Sequence, residues 1–173
     1  MIDENEYKEF CHRLIPEIKP FPENVKLAYD LLCVLQTDFH CHSCGYCCKS
    51  YVSLHKQDIL RLSKALSLTE EQFIKKYTNP SEHGTEYEFT KCAFYEGKCK
   101  VYDYRPFLCR TYPFLIDPRD LSVIIEDVTF CKGAREIYDK IFAACPDAKA
   151  PDFEDTTQSQ YAKIPISIIY EYL

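Results

Sequence analysis

Apolar residues recur at steps of three and four through the first third of the chain, the mark of helices with one buried face. Tyr7, Phe10, Cys11, Leu14 and Ile15 predict a helix over 4–15, and Val25, Ala28, Leu31, Leu32 and Leu35 a second over 23–36. Pro16, Pro20 and Pro22 fall between them, where fixed φ and a missing N–H stop a helix and stiffen the link. Two more helices are expected over about 56–66 and 70–77, the second opened by Thr69 and Gln72 at capping-box spacing. The clearest period lies in 133–145, where Ala134, Ile137, Tyr138, Ile141, Phe142 and Cys145 share a face.

Strand signals are shorter. "SYVSL" (50–54) and "EYEF" (86–89) have the alternation or β-rich composition of short strands, and "LSVIIEDV" (121–128) is the best strand in the chain. Residues 147–160 are polar and loop-like, and the tail "KIPISIIYEYL" fits either a helix from Pro165 or a strand. There is no internal repeat. Helices mixed with short strands point to an α+β fold in a single domain, 1–173. Its cysteine-rich core spans about 39–133, with N-terminal helices (1–38) and a C-terminal extension (134–173) packing on it.

Composition narrows the function classes. A net charge of −6 and a pI near 5.4 disfavour a nucleic-acid partner, because phosphate binding needs a basic patch. Local pairs such as Lys75 and Lys76 do not make one. No run of apolar residues is long enough to span a bilayer. The acidic start "MIDENEYKEF" lacks the form of a secretory leader, so a cytoplasmic location is expected. Only four glycines occur, Gly45, Gly84, Gly97 and Gly133, too scattered for a GxGxxG turn or a P-loop.

Cysteine changes the picture most. There are eleven, and four fall within "CHSCGYCC": Cys41, Cys44, Cys47 and Cys48. Buried free thiols account for Cys11, Cys33 and Cys145, which sit on or near apolar helix faces. Disulfides fit poorly with an odd count and no leader. Eight thiols remain as candidate metal ligands: Cys41, Cys44, Cys47, Cys48, Cys92, Cys99, Cys109 and Cys131. Thiolates are soft, charged donors suited to zinc and to iron–sulfur clusters.

The C-x2-C-x2-C step of Cys41, Cys44 and Cys47 is the one that wraps a 4Fe–4S cluster in bacterial ferredoxins, a fourth thiol arriving from elsewhere. The distal half has no second CxxC knuckle of the kind zinc ribbons use. An iron–sulfur cluster therefore leads, with zinc as the alternative cofactor. The side chains of adjacent Cys47 and Cys48 diverge, so they are expected to serve different metal atoms or different sites, or one stays a reactive thiol. Arg105 and Arg110 bracket Cys109, and Lys91, Lys98 and Lys100 flank Cys92 and Cys99; such cations would offset thiolate charge. Cys131 precedes a helix whose first N–H groups favour an anion. His40 and His42 are assigned to supporting or exposed positions, since eight thiols are enough.

The stretches "CHSCGYCC" (41–48), "CAFYEGKCKVYDYRPFLCRTYPF" (92–114) and "CKG" (131–133) resemble the YkgJ-like cysteine-cluster family, a zinc- or iron-chelating CxxCxxCC domain, over about residues 39–133. The resemblance implies metal binding. The family's last motif commonly reads Cys-Pro-Gly, and Lys132 stands here in the proline's place. The family includes flagellin lysine N-methyltransferases that resemble iron–sulfur enzymes using S-adenosylmethionine. This implies methyl-transfer or redox chemistry on a protein substrate as an enzymatic possibility, without naming catalytic residues. Two non-catalytic alternatives stand beside it: a zinc-binding structural or interaction module, and a metal storage or transfer protein.

Overall fold

The structure is a computed structural model that describes residues 2–14, 22–81, 87–89, 91–147 and 161–173. In chain order its elements are α1 (Glu4–Leu14), α2 (Pro22–Asp38), β1 (Val52–Leu54), α3 (Lys56–Ala65), α4 (Glu70–Tyr77), β2 (Asn79–Pro80) and β3 (Tyr87–Phe89). There follow α5 (Phe107–Thr111), β4 (Phe114–Ile116), β5 (Val123–Glu126), α6 (Lys132–Ala144), β6 (Tyr161–Ile164) and α7 (Ile166–Tyr172). Single 3-10 turns lie at Cys47–Lys49 and Tyr102–Tyr104. The α+β class holds, with helices around two separate antiparallel sheets. The chain divides into two compact units, one of residues 1–42 and 111–173 and one of residues 43–110.

The first unit is organised on the sheet β4–β5–β6, with β5 in the middle. Ile125 lies opposite Phe114 on one side and Ala162 on the other, and Val123 opposite Ile116 and Ile164. All six are buried, so the central strand has one face in the core, as period-2 alternation requires. The helical stripes read from the sequence also point inward: Tyr7, Phe10 and Cys11 of α1; Ala28, Leu31, Leu32 and Leu35 of α2; Ala134, Ile137, Tyr138 and Ile141 of α6. Burying one large side chain of this kind contributes about 1.5–3 kcal/mol. Tyrosine tips find partners at the edges, Tyr7 donating to the Ile116 carbonyl (3.3 Å) and Tyr29 to that of Ile2 (2.9 Å).

The second unit carries the sheet β1–β3–β2 with α3 and α4. Its core joins Val52, Leu54, Ile59, Leu62, Phe73, Phe89, Phe94 and Val101. Three aromatic contacts knit it, Tyr77–Phe94 (4.9 Å), Phe89–Phe94 (5.7 Å) and Phe73–Phe89 (6.2 Å). The expected capping box forms at α4: the Thr69 hydroxyl accepts the Gln72 N–H, and the Gln72 side chain accepts the Thr69 N–H.

Where expectation and structure differ, backbone chemistry explains it. The predicted strand 121–128 shortens to Val123–Glu126 because Leu121 and Asp127 take positive φ (57° and 54°), which ends extended pairing at both ends. Pro22 opens α2 instead of ending a linker, since a first-turn residue has no intrahelical use for its N–H. The tail resolves into both candidates, strand β6 and then helix α7 after Pro165. Pro16, Pro20 and most of the 147–160 loop lie outside the described residues. Cys11 and Cys145 are buried as expected of core thiols, and the Cys145 thiol donates to the Ile168 carbonyl (3.3 Å). Cys33 is half-buried and hydrogen-bonds Tyr29. Among the described residues no helix is long and apolar enough to cross a membrane.

Candidate metal centre

Within the unit of residues 43–110, three loops deliver thiols to one place. The first is the end of the proximal motif. Gly45 takes φ +72°, and the Cys48 N–H returns to its carbonyl (3.2 Å), closing the 3-10 turn that carries Cys47 and Cys48. Glycine is required at 45 on space as well as on φ: a Cβ there would sit 2.2 Å from the Tyr95 ring. The Tyr95 hydroxyl donates to the Ser43 carbonyl (3.0 Å).

The second loop is a tight hairpin. Gly97 turns it at φ +74°, Tyr95 bridges Cys99, and the Lys100 N–H reaches the Phe94 carbonyl (2.9 Å). Cys92 and Cys99, six residues apart between them in sequence, are thereby set on its two arms. The Cys92 N–H donates to the Cys48 carbonyl (3.1 Å), stitching the hairpin to the first loop. The third delivery is α5, which carries Cys109.

The electrostatics show that these thiols form a group. The Cys48 thiol hydrogen-bonds both Cys47 and Cys92, and these bonds push its pKa up while holding those of Cys47 and Cys92 below the usual thiol value. Backbone N–H groups of Phe94 and Tyr95 add to the effect at Cys92. At Cys99, burial raises the pKa and the Val101 N–H partly opposes it. At Cys109, burial again raises it, helped by the negative charge of Cys47 and Cys92. Arg105 acts against both rises and also favours the Cys47 thiolate, so its guanidinium is the cation of the group. It stacks on the Tyr102 ring at 3.6 Å and donates from Nε to the Tyr102 carbonyl (2.9 Å). Arg105 and Arg110 are both half-buried.

Five of the eight sequence candidates therefore come together: Cys47, Cys48, Cys92, Cys99 and Cys109. Cys44 belongs to the same unit and is exposed. Among the described residues no three His, Cys, Asp or Glu side chains are arranged to hold an ion as they stand. Cys47, Cys48 and Cys92 are joined thiol to thiol by hydrogen bonds, and their protons would leave on ligation. As a donor set, half-buried thiols with N–H···S support and one adjacent guanidinium fit a metal or a cluster: the N–H groups and the guanidinium stabilise thiolate charge against the cost of burial.

Cys41 and Cys131 lie in the other unit. Cys131 is the buried N-cap of α6, and its N–H donates to the Asp127 carbonyl (2.7 Å). The chain at 39–42 runs over the first turn of that helix: a Cβ on Gly133 would meet the His40 carbonyl at 2.5 Å, and His42 Nε2 pairs with Glu136 (2.9 Å). His40 and His42 rings meet edge to face at 4.9 Å. Both neighbours of Cys41 are thus tied to the helix that Cys131 begins. Lys132 occupies the first position of α6, where proline is also favoured, so its replacement of the family's proline leaves the helix start intact.

Two features escaped sequence reasoning. Asp58 and Arg61, read only as part of a helix, form a buried hub next to the thiols. The close approach of Gly133 to His40 was also unread. The available signal for Asp58 was its place three residues after His55, where it completes a second capping box.

These features agree with the comparisons to known proteins. Residues 40–146 match the CxxCxxCC family, described as "Putative zinc- or iron-chelating domain". The match covers more than half of the chain, which therefore belongs to that family. The chain is also 26% identical over 123 residues to the uncharacterized protein MJ0661 of Methanocaldococcus jannaschii, covering 67% of this chain and 66% of that relative's length. No solved structure matches.

Proposed function

We propose that this chain binds a thiolate-ligated metal centre in the unit of residues 43–110, and that the centre is an iron–sulfur cluster of the 4Fe–4S type. The observation that carries the reading is the convergence of Cys47, Cys48, Cys92, Cys99 and Cys109 around Arg105. A tetrahedral ion and a 4Fe–4S cluster each take four thiolates, so the adjacent pair Cys47 and Cys48, and not the number of thiols, is what favours the cluster. A polynuclear centre accommodates both, because it offers several metal atoms at different positions. Cys44 is a further proposed donor in the same unit, and Cys41 and Cys131, in the other unit, are proposed as metal-binding thiols outside this centre.

A second reading is a single structural zinc. It is favoured by the hairpin, whose N–H groups bond Cys92 and Cys99 and fix two sulfurs on one short loop. With Cys109 and one of the adjacent pair these make four thiolates, the number a closed zinc site takes. On this reading the chain is a structural or interaction module.

When bound, an iron–sulfur cluster supplies one-electron chemistry. The chain's own residues hold it, offset its charge through Arg105 and keep it half-buried. Methyl transfer or redox chemistry on a protein substrate extends the proposal and rests on family resemblance alone. Eleven free thiols suit a reducing compartment, and the cytoplasm is the proposed location.

The deciding experiment is anaerobic purification followed by iron, acid-labile sulfide and zinc assays per chain. A brown protein with matched iron and sulfide supports the first reading. A colourless protein with stoichiometric zinc replaces it with the second. Absence of all three after anaerobic reconstitution would sink both.

A further inference from the structure

We infer that Asp58 and Arg61 are positioning residues of the thiol site, holding the backbone that presents Cys109 and Arg105; the inference rests on the metal-binding reading above. Asp58 is fully buried in α3 and makes more bonds than a helix cap needs. Oδ2 accepts the His55 N–H (3.0 Å), which closes the start of its own helix. Oδ1 accepts the Phe107 N–H (2.8 Å), at the first residue of α5. One carboxylate therefore caps two helices, α3 from within and α5 from across the unit.

Arg61, one turn further along α3, pairs with Asp58 and neutralises it. Its remaining N–H groups reach the carbonyls of Arg105 (3.0 Å) and Tyr104 (3.4 Å). The pair thus grips Tyr104, Arg105 and Phe107 of the segment 104–107 from one face of a helix. That segment leads directly into α5, five residues long and too short to hold its shape unaided. Arg105, whose carbonyl is gripped, is the cation that favours thiolate at Cys47, Cys99 and Cys109, and Cys109 follows two residues after Phe107. The placement of one donor and of the group's cation depends on this pair. Groups that orient metal ligands from behind typically cost about 10–100-fold in metal affinity when changed.

The test is a titration of the reduced, metal-free full chain with Cd2+ against a competing chelator, followed by thiolate-to-cadmium ultraviolet absorption. Four proteins are compared: wild type, Asp58→Asn, Cys109→Ser and the double variant. Asp58→Asn should weaken Cd2+ binding about 10–100-fold and lose the absorbance of one thiolate. In the Cys109→Ser background the same change should cost clearly less than in wild type, because only the route through Arg105 remains. A merely structural Asp58 gives losses that add in the double variant, and that result overturns the inference, as does an Asp58→Asn protein that binds Cd2+ like wild type. Wild type that binds no Cd2+ removes the metal reading and the inference together, so the two failures are distinguishable. Should Asp58→Asn not fold, Arg61→Lys keeps the charge and loses the fork. It should weaken binding by roughly tenfold, and unchanged binding overturns the inference.

Discussion

The two units of this chain are organised by different physics. The described residues of the unit 1–42 and 111–173 include a regular sheet whose central strand is buried on alternating positions, and three helices that turn apolar stripes inward. Residues 43–110 have a smaller aromatic and aliphatic core, and Cys92, Cys99 and Cys109 pack against that core as part of it. In the first unit, area removed from water supplies the stability. In the second, part of the interior is made of thiols, whose full contribution on the proposed reading comes only with a bound metal. The units should therefore respond oppositely to metal and to core substitutions.

Metal removal gives the largest expected effect. A structural four-thiolate site contributes about 10–16 kcal/mol at neutral pH, comparable to the whole stability of a domain. Anaerobic chelation should collapse amide hydrogen-exchange protection at the Cys48–Cys92 and Phe94–Lys100 bonds and leave that of β5 largely intact. Equal loss in both units would mean that the metal does not distinguish them.

The converse substitution is Ile125→Ala. Ile125 is fully buried at the centre of the first unit's sheet, between Phe114 and Ala162. Its truncation should cost about 2–5 kcal/mol, read as a lower thermal midpoint or as faster exchange across β4–β5–β6. Metal per chain should stay at the wild-type value. A loss of metal matching the loss of stability would contradict the division drawn here.

The same contrast governs what was legible in the sequence. Helix periods in the first unit pointed at Tyr7, Leu32 and Ile137 and found them buried, because one face of a helix is a local property. Strand β4 escaped notice. It is three residues long, and it becomes a strand only by pairing with β5, a partner the local pattern cannot name. In the second unit the cysteine spacing singled out the thiols, but not which of them the fold brings together. C-x2-C-x2-C suggested that Cys41, Cys44 and Cys47 act together. The structure gathers Cys47 with Cys48 and the distal thiols, because the bond from the Cys92 N–H to the Cys48 carbonyl and the Asp58 cap act over long sequence separations. The role of Asp58 could not be read at all, since its second partner lies 49 residues away.

The smallest effect tests the first unit at its surface, where charge and not apolar area is at work. At the β4–β5 turn, Asp120 accepts hydrogen bonds from the Ser122 N–H (2.9 Å) and hydroxyl (2.6 Å), and Lys163 on β6 pairs with it (2.9 Å). These bonds, Ser122 first, hold its carboxyl down at about 2, against about 3.9 in an unfolded chain. The sign follows from linkage: a depressed carboxyl stabilises the fold fully above the unfolded value and loses that contribution as pH falls through the folded one. Because half of the side chain faces solvent, the contribution is a few tenths of a kcal/mol, as for exposed ion pairs. Asp120→Asn keeps an acceptor for Ser122 and removes only the charge. Exchange protection of the β5–β6 amides should therefore differ between the two proteins at pH 5 and converge towards pH 2. A difference that stays constant over that range would show that the turn is held by hydrogen-bond geometry alone, with no share for the charge that Lys163 faces.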